Sequence, residues 1–261
     1  EITKDTVLNL QILNGTIMTL IIEILTRATQ GVTKPFLCKA EDDQLYYVKG
    51  MGSHAGHRSL LAEWIAGNLA QAFGLPIAPF AIVDITSALI DCAPSEWSSL
   101  GSGAAFGSQL QEFTQELQWS QLHLIPQNLQ QDILVFDWWL QNGDRSLTDK
   151  GGNPNLLWDT QHEKLAVIDH NNAFDAQFNA RDFFENHVFR GQIASIFEDC
   201  VTRTMYVERM ERAFAAFEIA CHNSPLEWWW IDDGVPCSFN KETARQLLAR
   251  FEDNSFWGVA S

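Results

Sequence analysis

NGDRSLTDKGGNPNLLWDTQHEKLAVIDHNNAF, from Asn142 to Phe174, is the stretch on which the reading of the chain turns. Two short apolar runs stand within it, Leu156–Trp158 and Leu165–Ile168, with a polar turn between them. That pattern predicts two paired strands. Ahead of them Asp144 follows an aromatic helical segment, and a polar, Gly-rich connection leads from it to Asn153 and Asn155. Asp169 stands where the second apolar run ends. A carboxylate, amides and a second carboxylate therefore arrive together at the mouths of two strands.

Residues of these types suit one chemistry in particular. Magnesium takes oxygen ligands and is usually held by one or two carboxylates plus the phosphates of its substrate. Phosphoryl transfer asks for positioning and charge neutralisation more than for covalent chemistry. The order Asp144, Asn155, Asp169 matches base, second metal ligand and principal metal ligand, with Asn153 a rival to Asn155. Read blandly, Asn153-Pro154-Asn155 is a turn and Asp169 a helix cap.

Residues far upstream weigh against the bland reading. Gln44–Lys49 alternates as a strand and ends on Lys49, and Ser59–Phe73 has helical spacing through Leu61, Trp64, Ile65 and Leu69, with Glu63 inside it. Singly, a strand-end lysine is a solvated charge and a helical glutamate a surface one. In this order they make the phosphate clamp of a nucleotide site. Between the strands Ile17–Thr26 and Pro35–Lys39, the segment Ala28–Thr33 is small and polar around Gly31. It suits an ordinary strand connection or a loop over a phosphate equally.

Further strands and helices are expected at Phe80–Ile85, Gln127–Gln141, Arg203–Cys221 and Lys241–Phe251, and more weakly a helix over Gln109–Trp119. Gly101–Ser108 (GSGAAFGS) reads as a linker, which sets a boundary between residues 1–105 and 106–261. The Trp228-Trp229-Trp230 run suits either a ligand-binding loop or packing down over a core, and the second is the favoured expectation.

Composition narrows the field. With 46% hydrophobic residues the chain has ample material for a core, and a net charge of -16 with a pI near 4.7 argues against a nucleic-acid partner. The five cysteines show no C-x-x-C spacing and are expected as reduced thiols. Ile17–Leu25 is interrupted by Thr19 and Glu23, well short of the roughly 18 apolar residues of a membrane span. The expectation is a soluble, untargeted, cytoplasmic protein with no membrane partner.

Three passages resemble the HipA-like kinases, a branch of the protein-kinase-like superfamily. They are Gly31-Val32-Thr33-Lys34-Pro35 with Leu45-Tyr46-Tyr47-Val48-Lys49; Glu63–Leu69 running into Gly74-Leu75-Pro76; and Asp144-Arg145 through Asn153-Pro154-Asn155 to Ile168-Asp169-His170. The likeness spans roughly residues 16–200. It implies an α+β, two-lobed protein-kinase-like fold, with a small β-rich N-lobe carrying one main helix and a mostly helical C-lobe. It further implies ATP and Mg2+ as cofactors, with γ-phosphoryl transfer to a hydroxyl, most often Ser/Thr of a protein. Asp144 would be the catalytic base, Asn155 and Asp169 metal ligands, Lys49 the α/β-phosphate ligand held by Glu63, Gly31 part of the nucleotide loop, and Gly103–Gln109 the hinge against adenine. Some members are toxins of toxin–antitoxin pairs, so an antitoxin-like protein is among the implied partners, beside an acceptor of unknown identity. The chain departs from ordinary protein kinases in having Asn142-Gly143 before the base, a longer connection from Asp144 to Asn155, and His170-Asn171 after Asp169. A small-molecule or lipid-headgroup phosphotransferase and a nucleotide-binding pseudokinase remain alternatives.

Overall fold

The structure, a computed structural model, describes residues 11–13, 16–28, 34–52 and 56–258. Gly31, expected in the nucleotide loop, lies outside these residues together with Thr29 and Thr33. The chain is mixed α+β and divides into two units, Glu1–Gly56 with Phe80–Gln109, and His57–Pro79 with Leu110–Ser261.

The first unit is built of strands β1 (Gln11–Leu13), β2 (Thr16–Arg27), β3 (Phe36–Ala40) and β4 (Leu45–Lys49). The chain then leaves it for helix α1 (Gly56–Phe73), which from His57 onward clusters with the second unit. It returns for β5 (Phe80–Ile85), α2 (Ser87–Cys92) and β6 (Gly103–Gln109). The sheet order is β1-β2-β3-β4-β6-β5, and a parallel pairing of β2 with β5 closes the last five strands on themselves. Alternation explains the closure. Phe36, Cys38 and Ala40 of β3 are buried at every second position, and they share one core with Ile21, Ile24, Val48, Val83 and Ala105. The hairpin between β3 and β4 turns at Glu41–Asp43, where Asp43 takes a φ of +62°.

The glycine-rich segment expected as a linker is β6, paired with β4 on one side and β5 on the other. Its small residues serve packing. A Cβ on Gly107 would stand 3.0 Å from Val83 Cγ1 and 3.2 Å from Tyr46 Cδ1, so a side chain there would require both neighbours to give way by a few tenths of an ångström. The weak helical pattern over Gln109–Trp119 also fails, because Thr114–Glu116 is a strand, β7.

The second unit continues with α3 (Gln127–Leu140), β8 (Ser146–Thr148), β9 (Gly151–Asn153), β10 (Leu156–Asp159) and β11 (Lys164–Val167). Helices α4 (Ala180–Asn186), α5 (Ile193–Phe197) and α6 (Cys200–Asn223), the hairpin β12 (Trp230–Asp232) and β13 (Val235–Pro236), and helices α7 (Lys241–Ala249) and α8 (Asn254–Trp257) follow. Strands β10 and β11 pair as expected, Leu156 opposite Val167 and Asp159 opposite Lys164. On its other side β10 pairs with β7, and Val167 exchanges backbone bonds with Pro76 and Ala78, just beyond α1.

Helix α1 is buried on nearly all sides and ends at Gly74, whose φ of +91° is the left-handed stop that glycine supplies without strain. Arg209 of α6 secures that end, donating to the Phe73 carbonyl while it pairs with Asp132 and lies 4.2 Å from the Phe73 ring centroid. The last two turns of α3, Ile133–Leu140, are wholly buried, broader than the single apolar face of the sequence pattern. Trp138 meets Phe178, Phe183, Phe184, Phe197 and Phe256. Of the tryptophan run, Trp228 is buried, Trp229 is half-buried with its Nε1 donating to Ser224 Oγ at 2.8 Å, and Trp230 is exposed, so the run packs down over its first two residues. All five cysteines are free. No helix of the described residues is long and apolar enough to cross a membrane.

Gly107→Val should destabilise the chain by about 1–3 kcal/mol through overpacking against Val83 and Tyr46. A fall in the urea midpoint checks this. An unchanged midpoint would show that Val83 and Tyr46 move aside for a side chain at this position.

Candidate active site

The apolar face of α3 carries one charge, Asp137, which has no access to water. A buried carboxylate needs partners. Asn142 Nδ2 donates to its Oδ1 at 2.8 Å, and Arg145 Nε and His187 Nε2 donate to its Oδ2 at 2.7 and 3.1 Å. Burial alone would raise the carboxyl pKa. The Arg145 charge and the His187 bond outweigh it and hold the group well below the usual carboxylate range. His187 is itself depressed, chiefly by burial. Its Nδ1 accepts the Phe189 N–H at 3.1 Å, so the imidazole is neutral with its proton on Nε2, facing Asp137.

Arg145, fully buried, spends its remaining donors on the chain around the expected site. Nη1 reaches the carbonyls of Pro154 at 3.0 Å and Asn155 at 2.6 Å, and that of Ile168 at 3.4 Å. Nη2 lies 3.5 Å from His170 Nε2. One guanidinium thus ties the residue after Asp144 to the end of the Asn153–Asn155 turn and to both neighbours of Asp169. The connection from Asp144 to Asn155, read as a loop, is folded as the β8–β9 hairpin, with Ser146 opposite Asn153. That register returns Asn153 to Asp144.

Asp144 Oδ2 accepts both amides, from Asn153 Nδ2 at 3.0 Å and Asn155 Nδ2 at 3.2 Å. Burial pushes its carboxyl above the usual range. The Asn153 bond works against the rise, the charge of Asp169 adds to it, and Asn155 and Arg145 oppose it. Asn155 and Asp169 both have left-handed backbones, with φ of +48° and +57°. The strand pair is fixed between them, the Ile168 N–H bonding the Asn155 carbonyl at 3.1 Å. Glu63 on α1 is buried, and its Oε2 accepts the His170 N–H at 3.0 Å. Lys49 is the last residue of β4, buried and opposite Phe106 of β6 in the first unit.

The structure therefore brings Asp144, Asn153, Asn155, Asp169 and Glu63 into one neighbourhood. With both Nδ2 atoms directed at Asp144, the amide oxygens of Asn153 and Asn155 remain as acceptors, and two carboxylates close enough to perturb each other present a charge that a divalent cation would offset. Asn171 Oδ1, buried two residues past Asp169, has no hydrogen-bond partner among the described residues. This donor set is all oxygen and fits magnesium. Among the described residues no three His, Cys, Asp or Glu side chains group as a metal site, so such a cation would draw on amide and phosphate oxygens too. Sequence reasoning missed Asp137 and His187. A signal for the first was present: an aspartate within Leu134-Val135-Phe136-Asp137-Trp138-Trp139-Leu140 has no solvent face and must have a buried partner.

The model of one protein family, described as HipA-like kinase, matches residues 21–260. Among solved structures, the crystal structure of a Helicobacter pylori proinflammatory kinase, CtkA, is similar with a TM-score of 0.54 at 11% identity, over 92% of this chain and 97% of that one. At that identity the likeness is one of fold. No curated protein matches the chain.

Removing one partner of the buried pair is more costly than replacing both. Arg145→Met should cost about 3–5 kcal/mol, and adding Asp137→Asn should recover part of it, as read from urea midpoints. His187 supplies a pH dependence. Its folded pKa lies below the ordinary value of 6.5, so the unfolded chain takes up the proton first as pH falls and stability is lost on acidification from about 6.5 downward. The urea midpoint should fall between about pH 7.5 and pH 5.5, and His187→Gln should flatten that slope.

Proposed function

The chain belongs to the HipA-like kinase family, and we propose that it is an ATP- and Mg2+-dependent kinase transferring the γ-phosphoryl group to a hydroxyl, Ser or Thr of a protein. Membership supports a kinase function and the use of ATP in general. The observation that carries the finer reading is the Asp144 carboxylate, held through Oδ2 by Asn153 and Asn155 and within electrostatic reach of Asp169.

In this reading Asp144 orients the acceptor hydroxyl and takes its proton. Two amide bonds fix its Oδ2 and so aim the second oxygen, while burial raises its basicity toward that of a useful base. Asp169 and Asn155 would hold Mg2+, with Asn153 the alternative amide ligand. The cation, when bound, neutralises charge on the phosphates. Lys49 would bind the α/β-phosphates, with Glu63 holding it in place, and Gly31 would belong to the loop over the nucleotide. The division into lobes at 1–105 and 106–261 belongs to the same proposal, as does an antitoxin-like partner.

Incubation with Mg2+ and labelled ATP should label a protein acceptor or the chain itself. Asp144→Ala should lower the rate by about 10²–10⁴-fold, the range for loss of a general base, and Asp169→Ala should abolish it. Undiminished labelling in both variants would remove the assignment. ATP consumed with metabolites and no protein labelled would instead indicate a small-molecule or lipid-headgroup acceptor. ATP bound without turnover on any acceptor would indicate a pseudokinase.

A further inference from the structure

Helix α1 holds the chain just beyond Asp169 at three points. Glu63 Oε2 accepts the His170 N–H at 3.0 Å. Nearer the start of the helix, Arg58 donates from Nη1 to the Asn171 carbonyl at 2.9 Å and from Nη2 to the Ala173 carbonyl at 2.7 Å. A helix rises about 1.5 Å per residue, so the two grips are spaced roughly 7.5 Å along one rigid rod.

Helix chemistry by itself does not explain Arg58. It lies in the first turn, at the positive end of the helix dipole, where a cation is disfavoured, and no acidic residue accompanies it there. Burial depresses its pKa, opposed chiefly by the charge of Asp175. Its two terminal nitrogens each meet a carbonyl, and those carbonyls lie two residues apart. The planar fork suits that geometry, whereas an ammonium is a single point of charge.

What this fork holds is a strained element. Asp169 has a φ of +57°, a conformation that a non-glycine residue keeps only when its surroundings over-determine it. Upstream the determination comes from strand pairing and from Arg145 on the Ile168 carbonyl. Downstream, Ala173 closes a turn on the His170 carbonyl at 3.0 Å, and α1 grips both the start and the end of that turn.

We propose that Arg58 is a positioning residue for Asp169: through the Asn171 and Ala173 carbonyls it makes α1 and the Asp169 turn one mechanical piece, so that the aim of the carboxylate depends on the guanidinium. The inference rests on the reading of Asp169 as a metal ligand. It adds that anything displacing α1 also displaces the metal site.

The test compares Arg58→Met and Arg58→Lys with the parent chain. Hydrogen exchange without nucleotide should be at least tenfold faster over residues 170–174 in both variants and unchanged in α3. Mn2+ binding in the presence of ATP, followed by electron paramagnetic resonance, should weaken by about 10–100-fold, as for the loss of an outer support of a metal site. In turnover, kcat should fall while KM for ATP stays within about twofold of the parent. Parent-like exchange over residues 170–174 together with parent-like Mn2+ affinity would overturn the proposal. Should Arg58→Met fail to fold, Arg58→Lys decides alone, since it keeps the charge and most of the stem. A parent chain that binds no Mn2+·ATP refutes the kinase reading, and with it the metal role of Asp169. The exchange comparison then shows separately whether the clamp exists.

Discussion

A carboxylate with no route to water sets the terms for the expected catalytic segment. Asp137 sits on the buried face of α3, and its charge is tolerable only because Asn142, Arg145 and His187 all donate to it. Those three residues come from the end of α3, from the segment beside Asp144 and from the end of α4. Satisfying one buried charge therefore fixes where Asp144 emerges. The same Arg145 then reaches the Pro154, Asn155 and Ile168 carbonyls. Each bond answers a desolvation problem, and together they gather the site from chain segments more than twenty residues apart.

Left-handed backbone occurs at several places in the chain, and two of them stand where the chemistry is expected. Asn155 and Asp169 both occupy the left-handed region, and neither is glycine. Asn and Asp tolerate that region better than most residues, but they still need support. The strand register of β10 and β11 supplies it on one side, and the bonds from Glu63 and Arg58 of α1 supply it on the other. The departures from ordinary kinases have local explanations. Asn142 in front of the Gly143-Asp144 pair is a ligand of Asp137. The long connection after Asp144 is a hairpin whose register brings Asn153 to the carboxylate alongside Asn155, so the two amides that competed as metal ligands share one partner.

Much of this was legible along the chain. Period-two alternation marked β4, a short apolar run marked β3, helical spacing marked α1 and α3, and the turn between the apolar runs marked the β10–β11 pair. The misreadings share a cause. Gly101–Ser108 resembles a linker because its side chains are small, yet at Gly107 the small size answers Tyr46 and Val83, which pack against it. Composition reports the lack of a side chain without reporting what occupies its place. The strand β7 is only three residues long and owes its state to β10, a partner more than forty residues away, so local propensity could not reveal it.

The sequence by itself determined the oxygen-bearing residues, their order, and the strands and helices that deliver them. These depend on periodicity and residue type, which are local properties. It also carried the family resemblance that the match over residues 21–260 bears out. Only the tertiary structure decided that Asp137, Arg145 and His187 form the buried brace, that Asn153 and Asn155 both bind Asp144, and that Arg58 reaches past Asp169. Those are side-chain contacts, between residues from eight to more than a hundred positions apart, that no local pattern specifies. They exist because folding withdraws their polar groups from water and leaves each to find its partner inside.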